Sequence, residues 1–94
     1  MTQSSFITVH VPHALRDCAG GPELSVSAAN LRGLLEELER RYPLLHRSVC
    51  DETGKVRRHV NLFVNTDNIR DCQGLDTPVA GGDVVTILPA VSGG

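Results

Sequence analysis

Residues 6–11 read Phe-Ile-Thr-Val-His-Val, a run rich in β-branched and aromatic side chains that Pro12 closes, and this predicts a strand. Gly20-Gly21-Pro22 is strong turn punctuation. Glu23-Leu24-Ser25-Val26-Ser27 then alternates polar with apolar and predicts a second strand, paired with the first as a hairpin. The connection is longer than a tight turn, so the pattern leaves the register open. The period next changes from 2 to 3.6. Leu31, Leu34, Leu35, Leu38 and Tyr42 fall at i, i+3, i+4, i+7 and i+11, one face of a helix running from about Asn30 to Tyr42. Asn30 can cap it by accepting from an orphan backbone N–H. Arg40 and Arg41 suit the negative end of the helix dipole, and Pro43 is expected to stop it. Gly33 weakens the helix by about 1 kcal/mol relative to alanine, which a close approach to the sheet would explain.

Residues 44–58 show no clean period and contain the polar loop Asp51-Glu52-Thr53-Gly54-Lys55. His59 to Asn65 predicts a third strand, with Val60, Leu62 and Val64 on one face and Asn61, Phe63 and Asn65 on the other. Asp67-Asn68 signals a turn. Residues 74–79 suggest a short irregular or 3₁₀ crossing, and Gly81-Gly82-Asp83 another turn. Val84-Val85-Thr86-Ile87-Leu88 predicts the last strand, ended by Pro89.

The order is strand, strand, helix, strand, short piece, strand. A single helix must bury its apolar face against one side of the sheet. Setting the first and last strands side by side and parallel in the centre buries both. The expectation is an α+β, β-grasp (ubiquitin-like) fold: a mixed four- to five-stranded sheet with one main helix on one face. Residues 1–89 form the domain and residues 90–94 a flexible tail. The face opposite the helix should carry an exposed apolar patch, for which Phe63 and Leu88 are the partner-binding candidates because each falls out of phase with the core set.

Composition narrows the function. The chain has 94 residues, 40% hydrophobic and 21% charged, at a net charge of −2. This is one ordinary domain without the clustered basic surface of a nucleic-acid binder. No apolar stretch approaches the roughly 20 residues of a membrane span, and residues 1–5 lack a signal peptide's basic and apolar regions. The expectation is a cytoplasmic protein with no nucleic-acid or membrane partner. Cys18, Cys50 and Cys72 are odd in number and never at C-x-x-C spacing, so they read as reduced thiols. No P-loop, G-x-S-x-G, G-x-G-x-x-G or H-E-x-x-H occurs. His10 and His13 straddle Pro12 and read as a surface pair, since a metal needs three or four converging ligands. Glu36, Glu37 and Glu39 lie opposite the leucines as a solvated face. Arg57 and Arg58 read as surface salt-bridge or partner-contact residues.

The remaining chemistry lies at the end of the chain, Ala90-Val91-Ser92-Gly93-Gly94. Two terminal glycines have a chance of about 0.5% at ordinary glycine usage, and here they follow a core strand after only a few residues. Glycine has no Cβ, so its backbone can enter a narrow channel. A carboxylate on such a probe can be delivered into another enzyme's active site, activated there as an acyl-adenylate and converted by sulfur transfer to a nucleophilic thiocarboxylate. The chain itself would supply no acid, base or metal.

Arg41-Tyr42-Pro43, Val60-Asn61-Leu62-Phe63-Val64-Asn65, Ile69-Arg70, Gly74-Leu75-Asp76-Thr77-Pro78, Gly82-Asp83-Val84-Val85 and the ending Ile87-Leu88-Pro89-Ala90-Val91-Ser92-Gly93-Gly94 together resemble the ubiquitin-like sulfur carriers of the MoaD/ThiS type. The resemblance covers nearly the whole chain after residue 5, and its specific element is the ending. It implies a carrier and not an enzyme. Gly94 would be the adenylation and thiocarboxylate site, and Val91, Ser92 and Gly93 would thread into the partner. No cofactor would be bound, with ATP consumed by an E1-like activating and sulfurating enzyme. Within the family, the long 44–58 connection and the ending look most like carriers of thiocarboxylate-dependent cysteine biosynthesis. The resemblance there implies a PLP-dependent cysteine synthase and a zinc peptidase as further partners. The alternatives are the molybdopterin synthase small subunit with its large subunit, a thiazole or secondary-metabolite carrier, and a ubiquitin-like protein modifier. The chain departs from the family pattern at Gly81 and at Thr66-Asp67-Asn68, both away from the ending.

Overall fold

The computed structural model describes residues 6–89. The helix with the clearest sequence period, here α2, spans Leu31–Arg41. It starts where the Oδ1 of Asn30 accepts from the Gly33 N–H at 2.8 Å, a cap whose loss typically costs about 0.5–2 kcal/mol. Leu31, Leu34, Leu35 and Leu38 are all buried, and Arg40 and Arg41 occupy the last turn. Gly33 has a different reason from the one expected. An added Cβ would stand 3.3 Å from Asn30 Oδ1 and 3.6 Å from Ala28 Cβ, so the crowding is with the helix's own cap and not with the sheet.

Five strands form one mixed sheet in the order β2-β1-β5-β3-β4. They are β1 Phe6–His10, β2 Glu23–Ser27, β3 Val60–Val64, β4 Asp67–Asn68 and β5 Val84–Pro89. β1 and β5 are adjacent and parallel, Thr8 opposite Val84 and His10 opposite Thr86, as expected from their apolar character. The β1–β2 hairpin takes the register Phe6 opposite Ser27 through His10 opposite Glu23. β3 runs antiparallel to β5, from Val60 opposite Pro89 to Val64 opposite Val85. The alternation sends Ile7, Val9, Leu24, Val26, Val60, Leu62, Val64, Val85 and Ile87 to one face, where they form the core with α2.

Three segments depart from the sequence reading. Pro43 ends α2 but also opens a second helix, α3, over Pro43–Val49; proline's fixed φ and missing N–H suit the first helical position. Leu45 and Val49 of α3 are fully buried while Leu44 is 60% exposed. The segment between β1 and β2, expected as loop, holds a 3₁₀ turn at His13–Leu15 and a single helical turn α1 at Arg16–Ala19, closed by Gly20 at φ 81°. Asp67-Asn68, expected as a turn, is the short strand β4 paired with Phe63 and Val64. The turn itself is Asn65-Thr66, with Asn65 at φ 56°, a left-handed conformation that asparagine tolerates better than most residues. The 3₁₀ turn Gly74–Asp76 lies in the expected crossing, and Ile69–Asp71 is a further 3₁₀ turn that the sequence pattern did not give.

Because β4 covers only the end of β3, the first half of β3 is a sheet edge. Arg70 occupies it: its guanidinium donates to the carbonyls of Val60 (3.1 Å) and Arg57 (3.3 Å) and to the Asn61 side-chain oxygen. Backbone acceptors that would otherwise offer a pairing edge are thereby satisfied.

Candidate functional site

The same alternation that builds the core exposes the opposite face of the sheet. Phe6, Thr8 and His10 of β1, Val84, Thr86 and Leu88 of β5, and Asn61 and Phe63 of β3 point there, and none is fully buried. Phe63 stands opposite Thr86 and Leu88 opposite Asn61, so Phe63 and Leu88 are diagonal neighbours on adjacent strands, close enough for large side chains to share one surface. Phe63 is half-buried and Leu88 is 45% exposed. Both expected residues therefore lie on the outer face. Phe6, 56% exposed, is a third apolar side chain there that the sequence reading did not single out. The alternation of Phe6, Thr8 and His10 against Ile7, Val9 and Val11 was the signal available. Phe6 lies beyond the Thr8–Val84 pair, toward the start of β5, whereas Phe63 and Leu88 lie toward its end.

β5 therefore carries the chain past the Phe63–Leu88 patch to Pro89, opposite Val60. Val91, Ser92, Gly93 and Gly94, the threading and adenylation residues expected from the sequence, lie outside the described residues, as does the 90–94 tail as a whole.

The titratable groups form no catalytic constellation among the described residues. His10 Nε2 is 3.8 Å from a Glu23 carboxylate oxygen at the exposed hairpin, and no group of three His, Cys, Asp or Glu side chains that could hold a metal occurs among the described residues. Glu37 pairs with Arg40 at 2.7 Å on the solvated side of α2, a contact worth at most about 1 kcal/mol. Arg57 donates its Nε–H to the Arg47 carbonyl at 3.0 Å, and neither Arg57 nor Arg58 takes part in an ion pair among the described residues. No helix among the described residues is long and apolar enough to cross a membrane.

The three cysteines are free thiols: Cys72 exposed, Cys18 half-buried, Cys50 buried. Burial first, with the Asp51 charge second, pushes Cys50 from 9.0 up to about 11 against the opposing pull of Arg57, so it is protonated at neutral pH and a poor nucleophile. A raised pKa in the folded state contributes stability that is fully present below about pH 9 and is lost as pH rises toward about 11, where the unfolded chain has already released the proton. We expect the urea midpoint to fall between about pH 8 and about pH 10.5, and Cys50→Ala to flatten that fall. An unchanged slope in the variant would mean that other groups cause it.

A parallel central pair, β1 with β5, flanked by two antiparallel neighbours and covered on one face by a long helix, defines a ubiquitin-like β-grasp protein. The chain belongs to the ThiS family, whose model matches residues 9–94. Among curated relatives it is similar to the sulfur carrier protein CysO of Mycobacterium tuberculosis, 41% identical over 91 residues, covering 94% of this chain and 98% of the relative. The crystal structure of that species' CysO superposes with a TM-score of 0.83 at 40% identity, covering 90% of this chain and 99% of the other. A chain of the crystallised Amycolatopsis orientalis BexX/CysO complex superposes with a TM-score of 0.84 at 34% identity, over 94% and 99% of the two chains. The small archaeal modifier protein 1 of Methanosarcina acetivorans is also similar, with a TM-score of 0.81 at 32% identity over 99% and 100%.

Proposed function

We propose that this protein is a sulfur carrier whose terminal Gly94 carboxylate is adenylated, converted to a thiocarboxylate and used as a sulfur donor in biosynthesis. The observation that carries this reading is the family match, which spans residues 9–94 and so includes Gly93-Gly94. Like its relatives named as sulfur carrier proteins, the chain is a substrate for partner enzymes and not a catalyst. Its own part is to present the end of β5 beside an apolar patch and to supply a backbone thin enough to enter a partner.

An E1-like enzyme would consume ATP in activating and sulfurating the terminus. The receiving pathway we favour is cysteine biosynthesis, because a protein named CysO is 41% identical over nearly the whole chain. A PLP-dependent cysteine synthase would then take the sulfur and a zinc peptidase release the product. A molybdopterin synthase large subunit is the alternative receiver. The resemblance to a small archaeal modifier favours one second reading, conjugation to lysines. Protein conjugates in cell extract that disappear on deletion of Gly94 would identify it. Intact mass spectrometry of the chain isolated from its own cells tests the first reading: replacing oxygen by sulfur at the terminus adds about 16 Da to a carrier charged for nucleophilic transfer. A chain that never gains this mass, in cells or with an activating enzyme, ATP and a sulfur source, is not a sulfur carrier.

The Phe63–Leu88 patch should be where the activating enzyme rests. Phe63→Asp or Leu88→Asp is expected to weaken that binding by about tenfold or more, the usual cost of losing an interface anchor. The unfolding midpoint should change little, since Leu88 is 45% exposed and Phe63 lies outside the buried core. Titration by calorimetry beside a thermal melt checks both, and undiminished binding would remove the patch from the interface.

A further inference from the structure

On the helix side of the sheet edge, a cleft of about 180 Å³ opens between the start of β3, the loop after α3 and the 3₁₀ turn Gly74–Asp76. Val56, Leu62, Ile69 and Leu75 make its walls apolar, and among the described residues Lys55 and Arg70 are the only charged ones lining it. The volume lies below the roughly 300–1,000 Å³ of small-molecule sites and suits one large apolar side chain.

The charge of the cleft is unbalanced. Arg70 bonds three neutral acceptors, the carbonyls of Arg57 and Val60 and the Asn61 amide oxygen, which fix its guanidinium without neutralising it. Neither Arg70 nor Lys55 forms an ion pair among the described residues. Asp51, in the same loop as Lys55, turns its Oδ1 onto the Thr53 N–H and hydroxyl and the Lys55 backbone N–H. Two positions thus offer oriented or accessible positive charge beside an apolar hole, a combination complementary to carboxylates flanking an apolar side chain. The cleft also adjoins the end of β5. Val60, which lines it, is the residue opposite Pro89, and Arg70 reaches from the cleft to Asn61, which stands opposite Leu88 on the outer face.

We propose that this cleft is a second docking site, taking a segment of the partner enzyme in which one leucine-sized side chain is flanked by carboxylates. For the identity of the partner this rests on the carrier reading. Gripping the chain on both sides of the Val60–Pro89 pair would fix how the end of β5 is presented to the partner, a constraint that the outer patch alone does not impose.

The probe is an acetylated, amidated Asp-Asp-Leu-Asp-Asp peptide titrated into the full ¹⁵N-labelled chain. Saturable amide shifts are expected at Lys55, Val56, Arg70 and Leu75, with dissociation in the millimolar range. They should weaken about tenfold in Lys55→Glu and be absent with Lys-Lys-Leu-Lys-Lys. Lys55 is suitable for reversal because its side chain makes no hydrogen bond among the described residues; Lys55→Gln, expected to lie between, checks that charge and not folding is responsible. Absence of saturable shifts up to about 5 mM acidic peptide, or equal response to the basic one, would overturn the site. In cells, Lys55→Glu is expected to load sulfur about tenfold more slowly than the unaltered chain. Full-rate loading of that variant would overturn the docking role and leave the carrier reading standing, whereas sulfur loading on a Gly94 deletion would overturn the carrier reading itself.

Discussion

Deletion of Gly94 is expected to abolish thiocarboxylate formation while leaving thermal unfolding unchanged. A carboxylate is a poor electrophile. One of its oxygens must attack the α-phosphate of ATP, releasing pyrophosphate, before a sulfur nucleophile can displace AMP from the acyl carbon. On the proposed carrier reading that carbon has to reach the nucleotide, and the chain behind it has to pass through a partner channel fitted to bare backbone, where a Cβ would collide. Removing one residue withdraws the carboxylate by about 3.5 Å, more than a near-attack geometry tolerates. Gly94→Ala keeps the carboxylate and shifts it, so it should be impaired to a lesser degree. Stability should be insensitive because the buried apolar set of the described residues ends at Ile87. Replacing Cys18 or Cys72 with Ser, or the buried Cys50 with Ala, should leave loading intact, because the proposed mechanism carries the sulfur on the terminus and not on a side chain. Intact mass and a melt on the same samples decide the matter. Full loading of the deletion, or its loss on replacing one cysteine in a folded chain, would refute the mechanism.

The largest effect on stability is expected at Leu45. It is 0% exposed in α3, among the core residues that also include Leu34 and Leu38 of α2. Leu45→Ala should destabilise by about 2–5 kcal/mol, through lost transfer energy and a residual cavity. That is a large part of the roughly 5–15 kcal/mol available to a small domain. Leu44→Ala, one residue away and 60% exposed, should change stability by less than about 0.5 kcal/mol. Urea unfolding of the two variants side by side makes the comparison. Equal effects would mean that α3 does not pack as described.

Neither expectation about α3 was readable beforehand, and the reason is its length. Seven residues contain two buried positions, Leu45 and Val49, too few for a 3.6-residue period to stand out, and a helix this short is not stable by itself. Pro43 carries opposite meanings as a stop for α2 and a start for α3, and local sequence does not choose between them. Gly33 misled in the same way. Its lack of a Cβ pointed to a neighbour, but the neighbour is the Asn30 cap three residues back. β4 was hidden because a two-residue strand has no alternation to read, and its existence depends on Phe63 and Val64 already being in place.

Periodicity and the ending determined a good deal. The leucine face of α2 is legible because its four leucines, with Tyr42 just past its end, repeat over three turns. The inward and outward faces of β3 are legible because Val60, Leu62 and Val64 alternate with Asn61, Phe63 and Asn65. The central parallel pairing of β1 with β5 followed from two strongly apolar strands needing cover. Gly93-Gly94 supplied the expectation of where the chemistry lies, and it falls outside the described residues. Contacts between residues distant in the chain were decided only by the tertiary structure. Arg70 closes the edge of β3 from ten residues downstream of Val60, and Lys55, Leu62, Ile69 and Leu75 meet around one cleft although no local pattern links them. Sequence periodicity reports which face of an element is buried, because burial is a property of the element. Which side chains share a cleft depends on how the elements pack, and that is set by the whole core at once.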